Sequence, residues 1–311
     1  MVVEKSKAVS VPIKKTKVQS MKKEQSRRKW APYLFVLPNL LIFLTFIIIP
    51  ALMGLVYSFT RYNGVSEMTF IGLENYVRLF NNPEFWKIMM NTIYYAALVV
   101  PLVFAISLGI AVLMIKEMRA RGIFRAIIFW PTMISFIIVG LSWKWIFGDS
   151  FGIITYLLEA WGLPSVKWLS DPAVAKITIV IATIWARVGF FMVIFIAGLQ
   201  AIPASYYEAA QIDGANRRQL FWKITFPLLK PTSLLVFMLL IVESVKAYPL
   251  IFSLTGGGPA NETKLMVQYI FEFGFTKSEV GYASAMSVIL FLLIGIFTLI
   301  QFKWANGGKI D

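Results

Sequence analysis

The sequence predicts an all-α integral membrane protein with six transmembrane helices and both termini on the cytoplasmic side. Composition is the first reason. Of 311 residues, 58% are hydrophobic and only 15% are charged, with a mean hydropathy of +0.72, against roughly 45–50% apolar and about 25% charged residues in soluble domains. The second is the presence of six apolar stretches near the length of about 20 residues that a helix needs to cross a bilayer core. The third is the unequal distribution of Lys and Arg between alternate loops. The same composition excludes a disordered chain, a coiled coil and a disulfide scaffold. With no cysteine and no histidine, the chain lacks thiolate and imidazole ligands, a cysteine nucleophile and the commonest general base. Most enzyme chemistry is thereby excluded.

The net charge of +14 is concentrated at one end: residues 1–29 carry ten Lys or Arg against Glu4 and Glu24. Such a tail reads as disordered and held near anionic headgroups rather than bound to nucleic acid; a partner-binding arm is the alternative. The apolar run behind it spans a full bilayer, which argues against a cleaved signal peptide. Behind the tail, spans are expected at 33–59, 91–115, 126–147, 174–199, 232–254 and 282–302. Pro38 and Pro50 should kink the first, Pro101 lies within the second, and Pro203 closes the fourth. The expected organisation is a basic tail over 1–29, a six-span domain over 30–302 with a long loop at 201–231, and a short C-terminal tail over 303–311.

Orientation follows from the loops. The tail, the 116–125 loop (Lys116, Arg119, Arg121, Arg125), the 217–230 loop (Arg217, Arg218, Lys223, Lys230) and the C-terminal Lys303 and Lys309 hold 20 basic residues on one side. The opposite loops hold six: Arg61, Arg78, Lys87, Lys167, Lys264 and Lys277. The basic side is cytoplasmic. Trp86, Trp143, Trp145, Trp161 and Trp168 read as an interfacial belt at the outer face. None of the outer loops is long enough for a domain, so capture of a substrate outside requires another protein.

The 201–231 loop is too long for a connector. Residues 204–215 favour helix, with Ser205 as N-cap and Glu208 at the capping-box spacing, and Gly214 is a natural stop. Ala209, Ala210 and Ala215 would let a foreign surface approach the backbone. An exposed helix shaped for a partner's groove is the reading, with an interfacial helix lying on lipid as the alternative. A second amphipathic segment, 219–224, leads to Pro227 and Pro231.

The run Glu208-Ala209-Ala210-Gln211-Ile212-Asp213-Gly214-Ala215, followed by Ile224-Thr225-Phe226-Pro227-Leu228-Leu229-Lys230-Pro231, resembles the EAA loop of binding-protein-dependent ABC importer permeases. Phe70-Ile71-Gly72-Leu73-Glu74-Asn75-Tyr76, Trp168-Leu169-Ser170-Asp171-Pro172 and Leu254-Thr255-Gly256-Gly257-Gly258-Pro259 are similar to its sugar-permease branch, of the maltose/oligosaccharide and glycerol-phosphate type. The resemblance covers roughly residues 30–302. It implies the six-helix fold of type I importer permeases and a place in a bacterial or archaeal cytoplasmic membrane. It also implies a division of labour. An extracytoplasmic solute-binding protein delivers a sugar, this chain and a second homologous permease subunit form the pathway, and a dimeric cytoplasmic ATPase holds ATP and magnesium. Glu208, Ala209, Ala210, Asp213, Gly214 and Ala215 would then form the coupling helix seated on the ATPase, with Glu208 toward a basic group there. The chain has no Gly-x-x-x-x-Gly-Lys-Ser/Thr phosphate loop, so no cofactor is expected on it.

Four ionisable residues fall within the spans. Lys144 lies near the outer end of the third and can snorkel. Arg187 lies mid-way in the fourth, two residues after Trp185. Glu243 and Lys246 are one turn apart in the fifth and are placed to pair, as a structural bridge or as part of a polar patch for sugar hydroxyls. Tyr248 could stack on a sugar face, and Pro249 should loosen the helix and free a carbonyl. An ion-gradient-driven secondary transporter is the alternative function; it would need several buried carboxylates, and Glu243 alone qualifies.

Overall fold

A computed structural model describes residues 32–115 and 119–304. The basic tail over 1–29, Lys116 and the chain after residue 304, including Lys309, lie outside the described residues. The chain divides after Gly54 into two units. The first is the bulk of helix α1, Pro32–Tyr57. In place of the expected proline kink it has a π-helical turn, Leu44–Ile48. Pro50 has no N–H for the Phe46 carbonyl four residues before it, and the wider turn absorbs the missing bond.

The second unit opens with a hairpin, β1 (Thr60–Arg61) antiparallel to β2 (Thr69–Phe70). Helix α2, Glu74–Phe80, braces it: the Asn75 amide donates to the carbonyls of Ser58 and Thr60 at 3.0 and 2.9 Å. Helix α3, Pro83–Met114, starts before the expected Asn91. Asn82 caps it by accepting the Glu84 N–H at 3.0 Å, and Pro83 fills the first helical position, where its missing N–H is harmless. Pro101 leaves α3 continuous.

The expected third span is a bent pair. Helix α4, Arg121–Phe129, runs into a 3₁₀ turn, Trp130–Met133, and meets α5, Phe136–Ile146, at 100°. Pro131 cannot donate a helical bond, and the Thr132 hydroxyl satisfies the Phe129 carbonyl at 2.7 Å. A short α6, Ile153–Ala160, leads to α7, Pro172–Gln200. Its N-cap Asp171 accepts from the Ala173 and Val174 N–H groups at 2.9 and 3.0 Å. After α7 come α8, Ala204–Ile212, and α9, Arg217–Leu228, which meets α10, Lys230–Val245, at 68°.

The expected fifth span ends early. The chain breaks at Lys246–Ala247 and resumes as α11, Tyr248–Thr255, because Pro249 can neither donate to the Val245 carbonyl nor fit beside it. Gly256 and Gly257, at φ +65° and +92°, make the tight turn after α11. Then follow α12, Met266–Phe271, with a π-turn to Thr276, and α13, Val280–Trp304. Among the described residues, helices α1, α3, α7 and α13 are each long and apolar enough to cross a membrane, and the count there reaches six if each bent pair forms one span.

Helices α3 and α7 form the spine of one apolar core through Val99, Val103, Phe191 and Phe195, with α10 and α11 against them. A second cluster, with Leu79, Phe85, Tyr269 and Met286, joins α2, the start of α3, α12 and α13. Glycine sets the closest approach of α4 to α7: a Cβ on Gly189 would lie 2.1 Å from the Ile128 carbonyl oxygen. Of the expected aromatic belt, Trp86, Trp145 and Trp161 are exposed. Trp143 and Trp168 instead pack on Phe147, at 5.2 and 4.9 Å between ring centroids.

At the hairpin end, Glu262 bridges α3 and α7, accepting Lys87 at 2.8 Å and Lys176 at 2.6 Å. Asn91 donates to the Asn261 carbonyl at 2.9 Å and Thr92 accepts the Met266 N–H at 3.0 Å, so the 256–266 loop is fastened to α3. The two ammonium groups hold the Glu262 carboxyl below the usual carboxylate range.

Three outcomes follow from this packing. Gly189→Ala should lower the thermal unfolding midpoint in detergent, by roughly 1–3 kcal/mol of overpacking. Gly109→Ala, where a Cβ meets nothing within 4 Å, should leave the midpoint unchanged or raise it, reflecting up to about 0.5–1 kcal/mol of added stability. Because the Glu262 carboxyl titrates lower folded than unfolded, its contribution is complete above the ordinary carboxylate range and is lost as pH falls through that range and below it. Glu262→Gln should therefore flatten the acid limb of the midpoint-versus-pH curve, measured from about pH 6 to pH 3.

Candidate functional site

Helix α8 carries Glu208, Ala209 and Ala210. Pro203, not Ser205, occupies its N-cap, and no side chain caps it. The expected Ser205–Glu208 capping box is absent because Pro203 ends α7 and its extended ψ of 136° starts the new helix before Ser205 reaches the cap position. The C-terminus closes as anticipated. The Ala215 N–H bonds the Ala210 carbonyl at 2.9 Å, the Gly214 N–H bonds the Gln211 carbonyl at 3.0 Å, and Gly214 is left-handed at φ +75°. This is a Schellman stop. A Cβ on Gly214 would meet nothing within 4 Å, so the requirement for glycine there is conformational, not steric.

Asn216 then starts α9 with a reciprocal capping box. Its side chain accepts the Gln219 N–H at 2.9 Å while the Gln219 side chain accepts the Asn216 N–H at 2.8 Å. The hydroxyls of Tyr207 and the buried Thr225 meet at 3.1 Å and pin α8 to α9. Glu208, Ala209 and Asp213 are exposed, Ala210 and Ala215 half-buried, and the apolar Ile212 is 87% exposed. The helix is thus held firmly at its base with a small-residue, partly apolar face presented outward.

The second cluster lies where α7, α5 and α10 meet. Arg187 pairs with Glu243 at 2.5 Å across α7 and α10, and its guanidinium lies 4.0 Å from the centroid of Phe136 on α5. The expected Glu243–Lys246 pair is therefore not formed. Arg187 lies within the packed helices and must be neutralised there, whereas Lys246 sits at the C-terminal end of α10, where the helix stops and the side chain is exposed. Lys246 and Lys144 make no ion pair among the described residues. Trp185 is directed to α5, edge-on to Trp143 at 5.8 Å. Tyr248 opens α11 and stacks on Phe271 of α12 at 5.4 Å.

Sequence reasoning missed the Arg187 partner because Glu243 lies 56 positions away in the chain; helical spacing relates only near neighbours. It also missed Lys176, treated as the start of a span. Among the described residues no group of three or more His, Cys, Asp or Glu could hold a metal ion.

Removing one member of the Arg187–Glu243 pair strands a charge among packed helices. Arg187→Met and Glu243→Gln should each reduce the yield of folded protein several-fold, and the double variant should recover most of it. Size-exclusion yield of the three variants checks this.

The family described as binding-protein-dependent transport system inner membrane component matches residues 102–307. A probable starch degradation products transport system permease protein of Thermoanaerobacterium thermosulfurigenes is 34% identical over 279 residues, covering 90% of this chain and 95% of the relative. A trehalose/maltose transport system permease protein of Thermococcus litoralis is 34% identical, covering 87% and 92%. An sn-glycerol-3-phosphate transport system permease protein of Brucella abortus is 33% identical, covering 92% and 98%. In fold, the chain resembles one in a crystal structure of a bacterial ABC transporter that imports the acidic polysaccharide alginate, with TM-score 0.80, 24% identity and cover of 92% of this chain and 98% of that one. It also resembles one in the alginate transporter in complex with an alginate pentasaccharide-bound periplasmic protein, with TM-score 0.77, 24% identity and cover of 91% and 95%.

Proposed function

The chain belongs to the family of inner membrane components of binding-protein-dependent transport systems, and from that membership we propose that it is one half of the translocation pathway of an ATP-driven oligosaccharide importer. It is a transport component, not an enzyme, and membership replaces the ion-gradient alternative with binding-protein-dependent transport. The proposal adds the following. Each bent pair completes a span, giving six with both termini in the cytoplasm, as the excess of Lys and Arg at the α8 end supports. A second homologous permease subunit completes the pathway, a solute-binding protein delivers the sugar at the hairpin end, and a dimeric cytoplasmic ATPase holds ATP and magnesium. The sugar class is supported by the relatives named for starch degradation products and trehalose/maltose.

The observation that carries the coupling role is the exposed α8, closed by left-handed Gly214 and fastened at its base through Tyr207 and Thr225. In this reading the ATPase grips Ala209, Ala210 and Ala215 closely, Glu208 binds a basic group of the ATPase, and Asp213 with Gly214 turns the chain out of the groove. ATP binding shifts the permease between states only by its differential affinity for them, and α8 transmits that difference to α10. Arg187, Trp185, Glu243, Lys246 and Tyr248 are proposed to line the pathway, with the break at Lys246–Ala247 opening polar backbone to it.

The test grades Gly214 by its tolerance of a left-handed backbone. Sugar uptake and sugar-stimulated ATPase activity should fall in the order Gly, Asn, Ala, Val at position 214, the Ala step reflecting about 1–2 kcal/mol of backbone strain, while membrane insertion is unchanged. Glu208→Gln should lower stimulated ATPase activity at least tenfold. Full transport by Gly214→Val would overturn the coupling role.

A further inference from the structure

Aromatic rings form a row from the loop after α12 into the break between α10 and α11. Phe275 stacks on Phe271 with centroids 4.9 Å apart and planes at 29°. Phe271 stacks on Tyr248 at 5.4 Å and 27°, and Tyr248 leads to Phe252 at 5.4 Å. Phe275, Phe271 and Phe252 are 77%, 44% and 53% exposed. The row therefore runs over three separate segments, the π-turn, α12 and α11, and presents ring surface on each.

Its inner end decides what that surface meets. The Tyr248 N–H bonds the Lys246 carbonyl at 2.8 Å, and the Lys246 ammonium, exposed and without an acidic partner among the described residues, follows directly on α10. An unpaired ammonium and a broken helix are costly against hydrocarbon and are tolerated beside a water-filled cavity. A water-filled cavity at that break would reach the ring of Tyr248 and, through it, that of Phe271. Aromatic surface beside such a cavity, with a tyrosine hydroxyl and an ammonium at its end, suits the apolar faces and hydroxyl edges of pyranose rings.

We infer that Phe275, Phe271 and Tyr248 form a stacking track along which a linear oligosaccharide passes from the outer mouth to Lys246. Phe271 is a specificity-determining residue for chain length. The inference rests on the sugar-import reading above.

The test uses the complete importer, with its second permease subunit, ATPase and binding protein, in proteoliposomes. The probes are maltose, maltotriose and trehalose. Phe271→Tyr and Phe271→Trp should keep wild-type uptake, whereas Phe271→Leu and Phe271→Ala should raise the apparent KM for maltotriose about five- to tenfold, and that for maltose less. Because the chain has no cysteine, Phe275→Cys also provides a single label site, and maltotriose should slow its reaction with an impermeant maleimide. If Leu serves as well as Tyr at position 271, the row packs against lipid or the second subunit and the track is overturned. If none of the three sugars stimulates the wild-type importer, the sugar reading itself fails, and the track with it.

Discussion

Where α5 crosses α11, Gly140 lies so close that a Cβ there would be 1.9 Å from the Ser253 hydroxyl and 2.6 Å from the Leu250 carbonyl. No side chain larger than hydrogen permits this approach. The contact joins α5, which follows the bend at Pro131, to α11, which follows the break at Lys246–Ala247, and the rest of the arrangement depends on it. A backbone interrupted at membrane depth must be covered by protein or bathed by water. Here each interrupted pair covers part of the other: α11 lies along α5 just beyond the 3₁₀ turn of Pro131, and the Ser253 hydroxyl returns its own hydrogen to the Pro249 and Leu250 carbonyls. With α11 fixed in this way, the break at Lys246–Ala247 has a defined place, and Tyr248 has a defined neighbour in Phe271.

The same geometry gives α8 a mechanical connection to the interior. Its base is fastened to α9 by two hydroxyls, α9 turns through 68° into α10, and α10 carries Glu243 to Arg187 on α7. None of these links is strong alone. What matters is that each joins one helix to the next, a continuous chain of contacts from α8 to α7 that the proposed coupling role requires. Gly214 matters here although a Cβ on it would meet nothing within 4 Å: a Schellman stop fixes the exit direction of the chain, and Asn216 at once starts the next helix with its capping box.

How much of this was legible in the sequence depends on the range of each signal. Apolar runs placed all six expected spans near helices, and Gly214 was read correctly because a C-terminal glycine acts through its own backbone. The start of α3 was equally local and was overlooked: Asn82-Pro83-Glu84 carries an N-cap, a proline at the first position and an acid in the first turn. Ser205 was misread because a proline two residues earlier competes for the same cap. The bends were harder. Pro101 leaves a continuous helix while Pro131 and Pro249 mark breaks, and only the packing of the neighbouring helices separates these cases. The Arg187 partner and the aromatic row join residues distant in the chain, which no periodicity records.

Charge makes the two ends of the second unit unlike. Six of the seven ion pairs among the described residues lie at the hairpin end, where Glu262 and Glu272 each hold two lysines and Arg78 meets both Glu279 and the Tyr282 ring. Exposed pairs contribute only about 0–1 kcal/mol each, so their value here is geometric: they fasten loops to α2, α3, α7 and α13 and make that end a frame. Around α8 the described residues form no ion pair at all, although Glu208, Asp213, Arg217, Arg218, Lys223 and Lys230 lie within one short stretch. Acids and bases so near in sequence would neutralise one another if the fold turned them inward. Their side chains point to solvent instead, which leaves both signs of charge available to a docked surface, and a partner that engages them meets a helix already fixed in shape.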